Sequence, residues 1–81
     1  YPQVLKNVRV KDKKAAQDDE AVQAEVAKVA EKLGDDGRIL LRQSGTEPVV
    51  RVMVEAPTHE LCESCVDQVI AVMGAQGHFA G

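Results

Sequence analysis

Two apolar segments joined by a short polar loop constrain the fold of this chain more than any other feature of its sequence. The segments Arg38–Arg42 and Val49–Val54 are rich in apolar and β-branched residues, which favour extended strands. Only residues 43–48 separate the two segments, so they are predicted to pair as an antiparallel hairpin. The sequence therefore predicts a β-hairpin in the middle of the chain.

Period-two alternation along these strands predicts which side chains reach the core. A register that pairs Leu41 with Val52 sets Arg42 directly across from Arg51 on the other face of the sheet. Like charges opposite one another on a sheet are unfavourable, so we expect an anion between the two guanidiniums. The predicted core face carries Ile39, Leu41, Val50, Val52 and Val54, and the predicted outer face carries Leu40, Arg42, Arg51 and Met53.

The loop between the strands collects groups that suit a phosphate. Each arginine offers a planar fork of N–H donors that matches a pair of phosphate oxygens. Ser44 and Thr46 add hydroxyl donors, and Gly45 lets the backbone bring its N–H close to an anion without an intervening Cβ. The candidate phosphate-binding residues are therefore Arg42, Ser44, Gly45, Thr46 and Arg51. The alternative is a solvated hairpin end with two ordinary surface arginines.

The N-terminal part of the chain predicts one strand and one helix. Residues 4–10 alternate as a first strand, and residues 11–17 form a polar connection. A helix is predicted from an N-cap at Asp18 or Asp19 to Leu33, where Gly34 supplies a left-handed stop. Its apolar stripe, at spacings of four, three and four, consists of Val22, Val26, Val29 and Leu33.

A second helix is predicted after the hairpin, with Thr58 as its N-cap and Glu60 in its first turn. One half of its helical wheel is apolar and the other half is polar. The order strand, helix, strand, strand, helix predicts an α+β fold. We expect a β-α-β-β-α two-layer sandwich, with both helices on one face of an antiparallel sheet.

The spacing Cys62-x-x-Cys65 also occurs in redox-active sites and in zinc sites, so both functions have to be considered for this chain. Both thiols fall on the apolar half of the second helix, and Cys62 lies a full turn inside it, so we interpret them as small buried hydrophobic residues. His59, Cys62 and Cys65 are zinc-ligand types, but successive steps of three drift around a helix and would need a fourth ligand from elsewhere. No metal site is predicted. His59 and His78 are predicted to be surface residues without a catalytic partner.

The length and the net charge of the chain limit the number of domains and the classes of function that it can have. Eighty-one residues form one domain, here residues 1–81, with a flexible tail expected over residues 74–81. A formal net charge of −3 and the absence of a basic run argue against nucleic-acid binding. The sequence shows no long apolar run and no basic leader followed by an apolar segment, so we expect neither a membrane span nor a secretion signal. Because the chain opens at Tyr1 rather than at methionine, we expect an excised piece of a cytoplasmic protein.

Residues 37–48, Gly-Arg-Ile-Leu-Leu-Arg-Gln-Ser-Gly-Thr-Glu-Pro, followed by Arg-Val-Met-Val-Glu at 51–55, resemble the C-terminal domain of the α-D-phosphohexomutases. This form of the motif resembles the bacterial phosphoglucosamine mutase branch more than the phosphoglucomutase or phosphomannomutase branches. The opening residues 1–10 are similar to the same branch's F-P-Q-x-L-x-N-V entry into this domain. The resemblance extends from Tyr1 to about Met73, and its hairpin motif is the specific part.

The resemblance implies a fold similar to that of the TATA-binding protein. It also implies that this domain binds the phosphate group of the substrate that is not being transferred. The full-length protein would be an isomerase that interconverts glucosamine 6-phosphate and glucosamine 1-phosphate through a bisphosphorylated sugar. Its phosphoserine and Mg²⁺ site would lie in other domains of the same chain, so this domain would contain no catalytic residue and no cofactor. Glu47 would repel a phosphate; we expect it to orient a loop donor or an arginine, or to accept from a sugar amine or hydroxyl.

Two alternatives to this function stay open from the sequence. One is the same domain in a phosphoglucomutase or phosphomannomutase. The other is a free-standing module that binds an anion or a phosphopeptide. An upstream domain with a serine phosphorylation motif and an aspartate-rich metal loop would distinguish a mutase from a module.

Overall fold

A computed structural model describes residues 1–80 of the chain. Its elements, in chain order, are β1 (Gln3–Arg9), α1 (Lys13–Asp18), α2 (Glu20–Leu33), a 3₁₀ turn (Gly34–Asp36), β2 (Arg38–Gln43), β3 (Val49–Glu55) and α3 (His59–Ala75). The strands form one antiparallel sheet in the spatial order β1-β3-β2. Helices α2 and α3 pack against each other and against the sheet. The predicted α+β sandwich is confirmed.

The central strand β3 shows the predicted alternation of faces. Val50, Val52 and Val54 are fully buried under the helices, whereas Arg51 between them is exposed. Ile39 and Leu41 of β2 are partly buried and pack against this core. The predicted core face is therefore confirmed, because the apolar side chains at every second position are covered by the helical layer.

The N-caps of both long helices lie within the predicted positions. At α2, the Asp19 carboxylate accepts hydrogen bonds from the backbone N–H groups of Ala21 and Val22, at 2.7 and 3.2 Å. At α3, the Thr58 hydroxyl accepts from the N–H of Leu61 at 3.1 Å. These contacts satisfy donors that have no partner inside the helix. Helix α2 ends at Gly34, whose φ of 55° favours glycine.

The predicted polar connection over residues 11–17 is wrong in part, because it contains the short helix α1. The Asp12 carboxylate caps this helix by accepting from the N–H groups of Lys14 and Ala15, at 3.0 and 3.1 Å. Ala16 is fully buried, so α1 covers part of the core with a single small side chain. One alanine gives no apolar stripe, which is why the pattern did not predict a helix here.

The C-terminal segment differs from the flexible tail that its glycines predict. Helix α3 continues to Ala75, and the chain turns at Gly77, whose φ is 79°. It then runs beside the end of β1, where Phe79 forms an isolated bridge with Val10 and the N–H of Ala80 donates to the carbonyl of Arg9 at 3.1 Å. Backbone hydrogen bonds with the end of β1 thus fix the position of residues 76–80. The glycine content of the segment, from which a flexible tail was predicted, does not reveal such bonds. Gly81 lies outside the described residues.

His78 is the centre of a contact between this segment and the start of α2. Its Nε2 lies 2.7 Å from Oδ2 of Asp19, and only 16% of each side chain is exposed. The prediction that His78 is a surface residue is therefore wrong. The hydrogen bond with His78 lowers the pKa of Asp19 from 3.8 to about 2, and the capped amides of α2 and Gln76 contribute in the same direction.

The lowered pKa of Asp19 predicts a specific sensitivity to acid. A carboxyl group whose pKa is lowered by folding stabilises the folded state above its unfolded pKa of 3.8, and this contribution is lost as the pH falls towards about 2. Asp19→Asn keeps an N-cap oxygen but has no titrating group. In acid titrations followed by circular dichroism, we expect the variant to lose less stability than the wild type across this range. Equal losses in both proteins would show that Asp19 does not contribute.

The two cysteines are free and fully buried, as predicted from the helical wheel. The Cys62 thiol lies 3.1 Å from the carbonyl oxygen of Pro2, so it packs α3 against the start of β1. Burial raises the pKa of Cys65 above its usual value of 9.0, which disfavours the reactive thiolate. Both residues therefore act as packing groups in α3.

Replacing both cysteines by alanine is expected to lower the free energy of unfolding by about 1–2 kcal/mol, because two small buried groups are removed. The phosphate binding that the sequence leads us to expect of the hairpin should be unchanged. Denaturant unfolding and a phosphate titration of the double variant test this expectation. A fold of the wild-type chain that changes on adding a reductant would contradict it.

Candidate anion-binding site

The outer face of the sheet, opposite the helices, carries three cross-strand rows of side chains. The strand register aligns one residue from each of β1, β3 and β2 in every row. The rows are polar (Gln3, Glu55, Arg38), apolar (Leu5, Met53, Leu40) and cationic (Asn7, Arg51, Arg42). A shallow depression of about 200 Å³ lies between the apolar residues and the two arginines of the third row.

The two arginines of the third row are direct neighbours. Arg42 and Arg51 are partners in the antiparallel register, as predicted, and both side chains are exposed. Neighbouring strands are about 4.7–4.9 Å apart, so two guanidiniums share one small region of surface. By contrast, Arg38 in the polar row has a carboxylate partner, with its Nε 3.6 Å from Oε1 of Glu55. Within residues 1–80, Arg42 and Arg51 form no ion pair that would offset their repulsion.

The loop that follows Arg42 is held by short-range hydrogen bonds. The N–H of Ser44 donates to the carbonyl of Val49 at 2.9 Å, and the N–H of Val49 donates to the carbonyl of Glu47 at 2.8 Å. Within residues 1–80, the backbone N–H groups of Gly45 and Thr46 form no hydrogen bond. These two amides and the exposed Thr46 hydroxyl are thus available to an anion at the loop.

Residues of α1 and β2 fix the base of the loop, and the sequence interpretation missed them. Lys13 donates from Nζ to the carbonyl of Ser44 at 2.6 Å, and Gln17 donates from Nε2 to the carbonyl of Leu41 at 3.0 Å. Gln17 also accepts a hydrogen bond from the side chain of Gln43. These contacts tie the base of the loop to α1 while its tip stays exposed. Recognising the helical cap at Asp12 would have placed Lys13 and Gln17 one turn apart, towards the sheet.

Glu47 lies exposed in the loop, and its carboxylate forms no ion pair with an arginine within residues 1–80. Its backbone N–H lies 3.4 Å from the Ser44 hydroxyl, which is a weak contact. The expectation that Glu47 orients an arginine therefore has no support from its contacts. That Glu47 orients a loop donor, or accepts from a sugar amine or hydroxyl, stays a prediction.

Other candidate chemistries lie elsewhere in the fold. His59 is exposed at the start of α3, 3.9 Å from Glu63, and the two cysteines are buried on the inner side of that helix. Across residues 1–80, no three His, Cys, Asp or Glu side chains gather in a group that could hold a metal ion. The helices in that same part of the chain are all too short or too polar to cross a membrane.

A comparison with protein families matches residues 5–72 to the model of the phosphoglucomutase/phosphomannomutase C-terminal domain. Among individual proteins, phosphoglucosamine mutase of Lachnospira eligens is 65% identical over 78 residues, which is 96% of this chain and 17% of that protein. Phosphoglucosamine mutase of Oceanobacillus iheyensis is 55% identical over 73 residues, covering 90% of this chain and 16% of that protein. The chain thus spans about a sixth of the length of these relatives.

Solved structures show the same fold. The N-acetylphosphoglucosamine mutase of Aspergillus fumigatus in complex with GlcNAc-6P and magnesium superposes with a TM-score of 0.75 at 25% identity, over 94% of this chain and 16% of that one. A variant of the fungal protein in complex with glucose 1,6-bisphosphate gives a TM-score of 0.79 at 23% identity, over 95% of this chain and 16% of that one. The sheet with its covering helices is therefore a domain of a much longer chain in these proteins.

Proposed function

The chain belongs to the family of phosphoglucomutase/phosphomannomutase C-terminal domains, and on that premise we propose that it binds the phosphate of a phosphosugar. The phosphate held is the one that is not being transferred. The binding residues are Arg42, Ser44, Gly45, Thr46 and Arg51. The observation that carries this proposal is the direct pairing of Arg42 with Arg51 beside a loop whose tip amides are free.

The physical argument rests on the cost of placing two like charges together. Arg42 and Arg51 repel each other in the unliganded sheet, and a phosphate with two negative charges converts this repulsion into two attractive contacts. Guanidinium forks fit pairs of phosphate oxygens, and the amides of Gly45 and Thr46 can meet a third oxygen. Because Lys13 and Gln17 hold the base of the loop, little ordering is needed when the anion binds.

The full-length protein in this proposal is a phosphoglucosamine mutase, an isomerase that interconverts glucosamine 6-phosphate and glucosamine 1-phosphate by way of a bisphosphorylated sugar. It works in the cytoplasm, on the route to UDP-N-acetylglucosamine and the cell wall. The carboxylates of residues 1–80 form no group that fits Mg²⁺. In our proposal the magnesium ion and the phosphoserine belong to other domains of the full-length protein, and the isolated domain is inactive. Its contribution is to fix the distal phosphate, which positions the reacting oxygen and helps to exclude water when the domains close.

The choice of glucosamine over other sugars rests on the 65% and 55% identity to two bacterial phosphoglucosamine mutases. A phosphoglucomutase or phosphomannomutase specificity would use the same arginine pair, because the phosphate is common to all these substrates. Sugar assays on the full-length protein separate the two. A free-standing phosphopeptide module is the weaker alternative, since each relative is about six times as long as the matched region.

A titration of the isolated chain tests the proposed function. We expect glucosamine 6-phosphate to bind with a Kd in the ~mM range, or about 4 kcal/mol, because one wall of the site desolvates the ligand poorly. Amide shifts in nuclear magnetic resonance spectra should concentrate at Ser44, Gly45 and Thr46. Glucosamine without phosphate is the matched control and should cause no such shifts. Shifts centred on the Cys62–Cys65 turn of α3 would refute the assignment.

A further inference from the structure

The end of β1 lies against the end of the loop that carries the anion site. Arg9, the last residue of β1, pairs with Val49, the first residue of β3. The N–H of the next residue, Val10, donates to the carbonyl of Pro48 at 2.9 Å. Arg9 is therefore fixed beside the point where the loop returns to the sheet.

The side chain of Arg9 lies on the same face as the arginine pair. Val8 is buried under the helices, so alternation along β1 places Asn7 and Arg9 on the outer face, and both are exposed. Arg9 is the diagonal neighbour of Arg51 across the β1–β3 pair. Such neighbours have Cα atoms about 7–8 Å apart, a distance that two arginine side chains can bridge.

The position of Arg9 is also set before any ligand arrives. Its carbonyl accepts a hydrogen bond from the N–H of Ala80 at 3.1 Å, so the end of β1 is held by β3 on one side and by the C-terminal segment on the other. A side chain on a fixed backbone loses less freedom when it binds.

Arginines without an ion pair are concentrated at the end of the outer face of the sheet that lies beside the loop. Within residues 1–80, the guanidiniums of Arg9, Arg42 and Arg51 form no ion pair with a carboxylate, although the whole chain has a formal net charge of −3. Arg38, at the far end of the same face, is paired with Glu55. Three guanidiniums without a carboxylate partner thus lie around one loop in an acidic domain.

We propose that Arg9 is the third cationic residue of the phosphate site and contacts the same phosphate that Arg42 and Arg51 hold. This inference deepens the proposed function and rests on it. Arg9 enters from β1, outside the hairpin, so the site is built from all three strands. Binding then depends on the correct docking of β1 as well as on the hairpin.

Inorganic phosphate is the probe for this role, titrated into the 81-residue chain and followed by amide shifts at Ser44–Thr46. Arg9→Ala is expected to weaken binding about three- to tenfold, as for a partly exposed charge-assisted contact, and to reduce its dependence on salt. Arg9→Lys should retain more affinity than alanine. Arg38→Ala is the matched control, because it removes the same charge from the same face beyond the apolar row. It should change the Kd by less than about twofold.

Three outcomes would overturn the inference, and they are distinguishable. If the wild type binds phosphate and Arg9→Ala binds equally well, the role of Arg9 is refuted while the proposed function stands. If Arg9→Ala and Arg38→Ala weaken binding equally, only net charge matters and Arg9 has no specific contact. If the wild type shows no shifts at the loop, the proposed function fails and this inference fails with it. Arg9→Gln is a second variant for the same measurement, and a dispersed amide spectrum would show that it is folded.

Discussion

Replacing Arg42 or Arg51 by alanine in the full-length protein, a mutase in our proposal, is expected to lower kcat/KM by roughly one to two powers of ten. In our proposal each guanidinium makes a charge-assisted contact with the phosphate, worth ~1.5–3 kcal/mol, and about 1.4 kcal/mol corresponds to a tenfold change. Lysine at either position should restore part of the loss, because it retains the charge without the bidentate fork. Steady-state kinetics with glucosamine 1-phosphate measure the effect.

Two controls show whether the loss is local to the anion site. Phosphorylation of the catalytic serine, measured by mass spectrometry, should remain possible, because that serine belongs to another domain in our proposal. Arg38→Ala, which removes an arginine paired with Glu55 on the same face, should leave kcat/KM within about threefold of the wild type. Near-normal kcat/KM in folded Arg42→Ala and Arg51→Ala variants would mean that the pair is surface charge.

Replacing Gly37 by alanine is expected to destabilise the domain by about 1–3 kcal/mol, which is the usual cost of forcing an extra group into a packed site. Gly37 lies just before β2 and has an extended backbone, with a φ of 174° that any residue type can adopt. The constraint is space: an added Cβ would collide with the backbone carbonyl oxygen of Glu55 and lie 3.2 Å from the Cα of Ala56. Backbone atoms cannot move aside as a flexible side chain can, so β2 would have to shift.

Gly45→Ala is the matched control for this effect on stability. Nothing lies within 4 Å of a Cβ built at Gly45, and its φ is not positive. Thermal unfolding should therefore show a lower Tm for Gly37→Ala, by about 4–8 °C for each kcal/mol lost, and little change for Gly45→Ala. Equal Tm values for Gly37→Ala and the wild type would show that the backbone at the end of β3 can shift to accommodate the added Cβ at little cost in stability.

The sequence predicts the sheet and the long helices of this domain because their signals are local. Alternating valines in β3 specify which face is buried, and that face fixes the register that sets Arg42 opposite Arg51. Asp19 and Thr58 mark helix starts by their capping chemistry, within a residue of the boundary. These features depend on neighbours in the sequence, so a pattern can reveal them.

The short helix α1 was missed although its cap at Asp12 is local, but the other features that the sequence did not predict depend on contacts between distant residues. His78 meets Asp19 across 59 positions, and Lys13 meets Ser44 across 31. Phe79 packs over Gly74 so closely that a Cβ there would approach its ring to 2.7 Å, which is a packing reason for a glycine inside α3. No local pattern encodes such pairs, because the fold brings them together.

The most direct test of the arginine pair as a phosphate clamp is a crystal structure of the full-length protein with a bisphosphorylated sugar. We expect one phosphate to place its oxygens about 2.7–3.2 Å from guanidinium nitrogens of both Arg42 and Arg51, and within the same distance of the amides of Gly45 and Thr46. A structure in which other domains hold both phosphates, while Arg42 and Arg51 remain in solvent, would contradict the account.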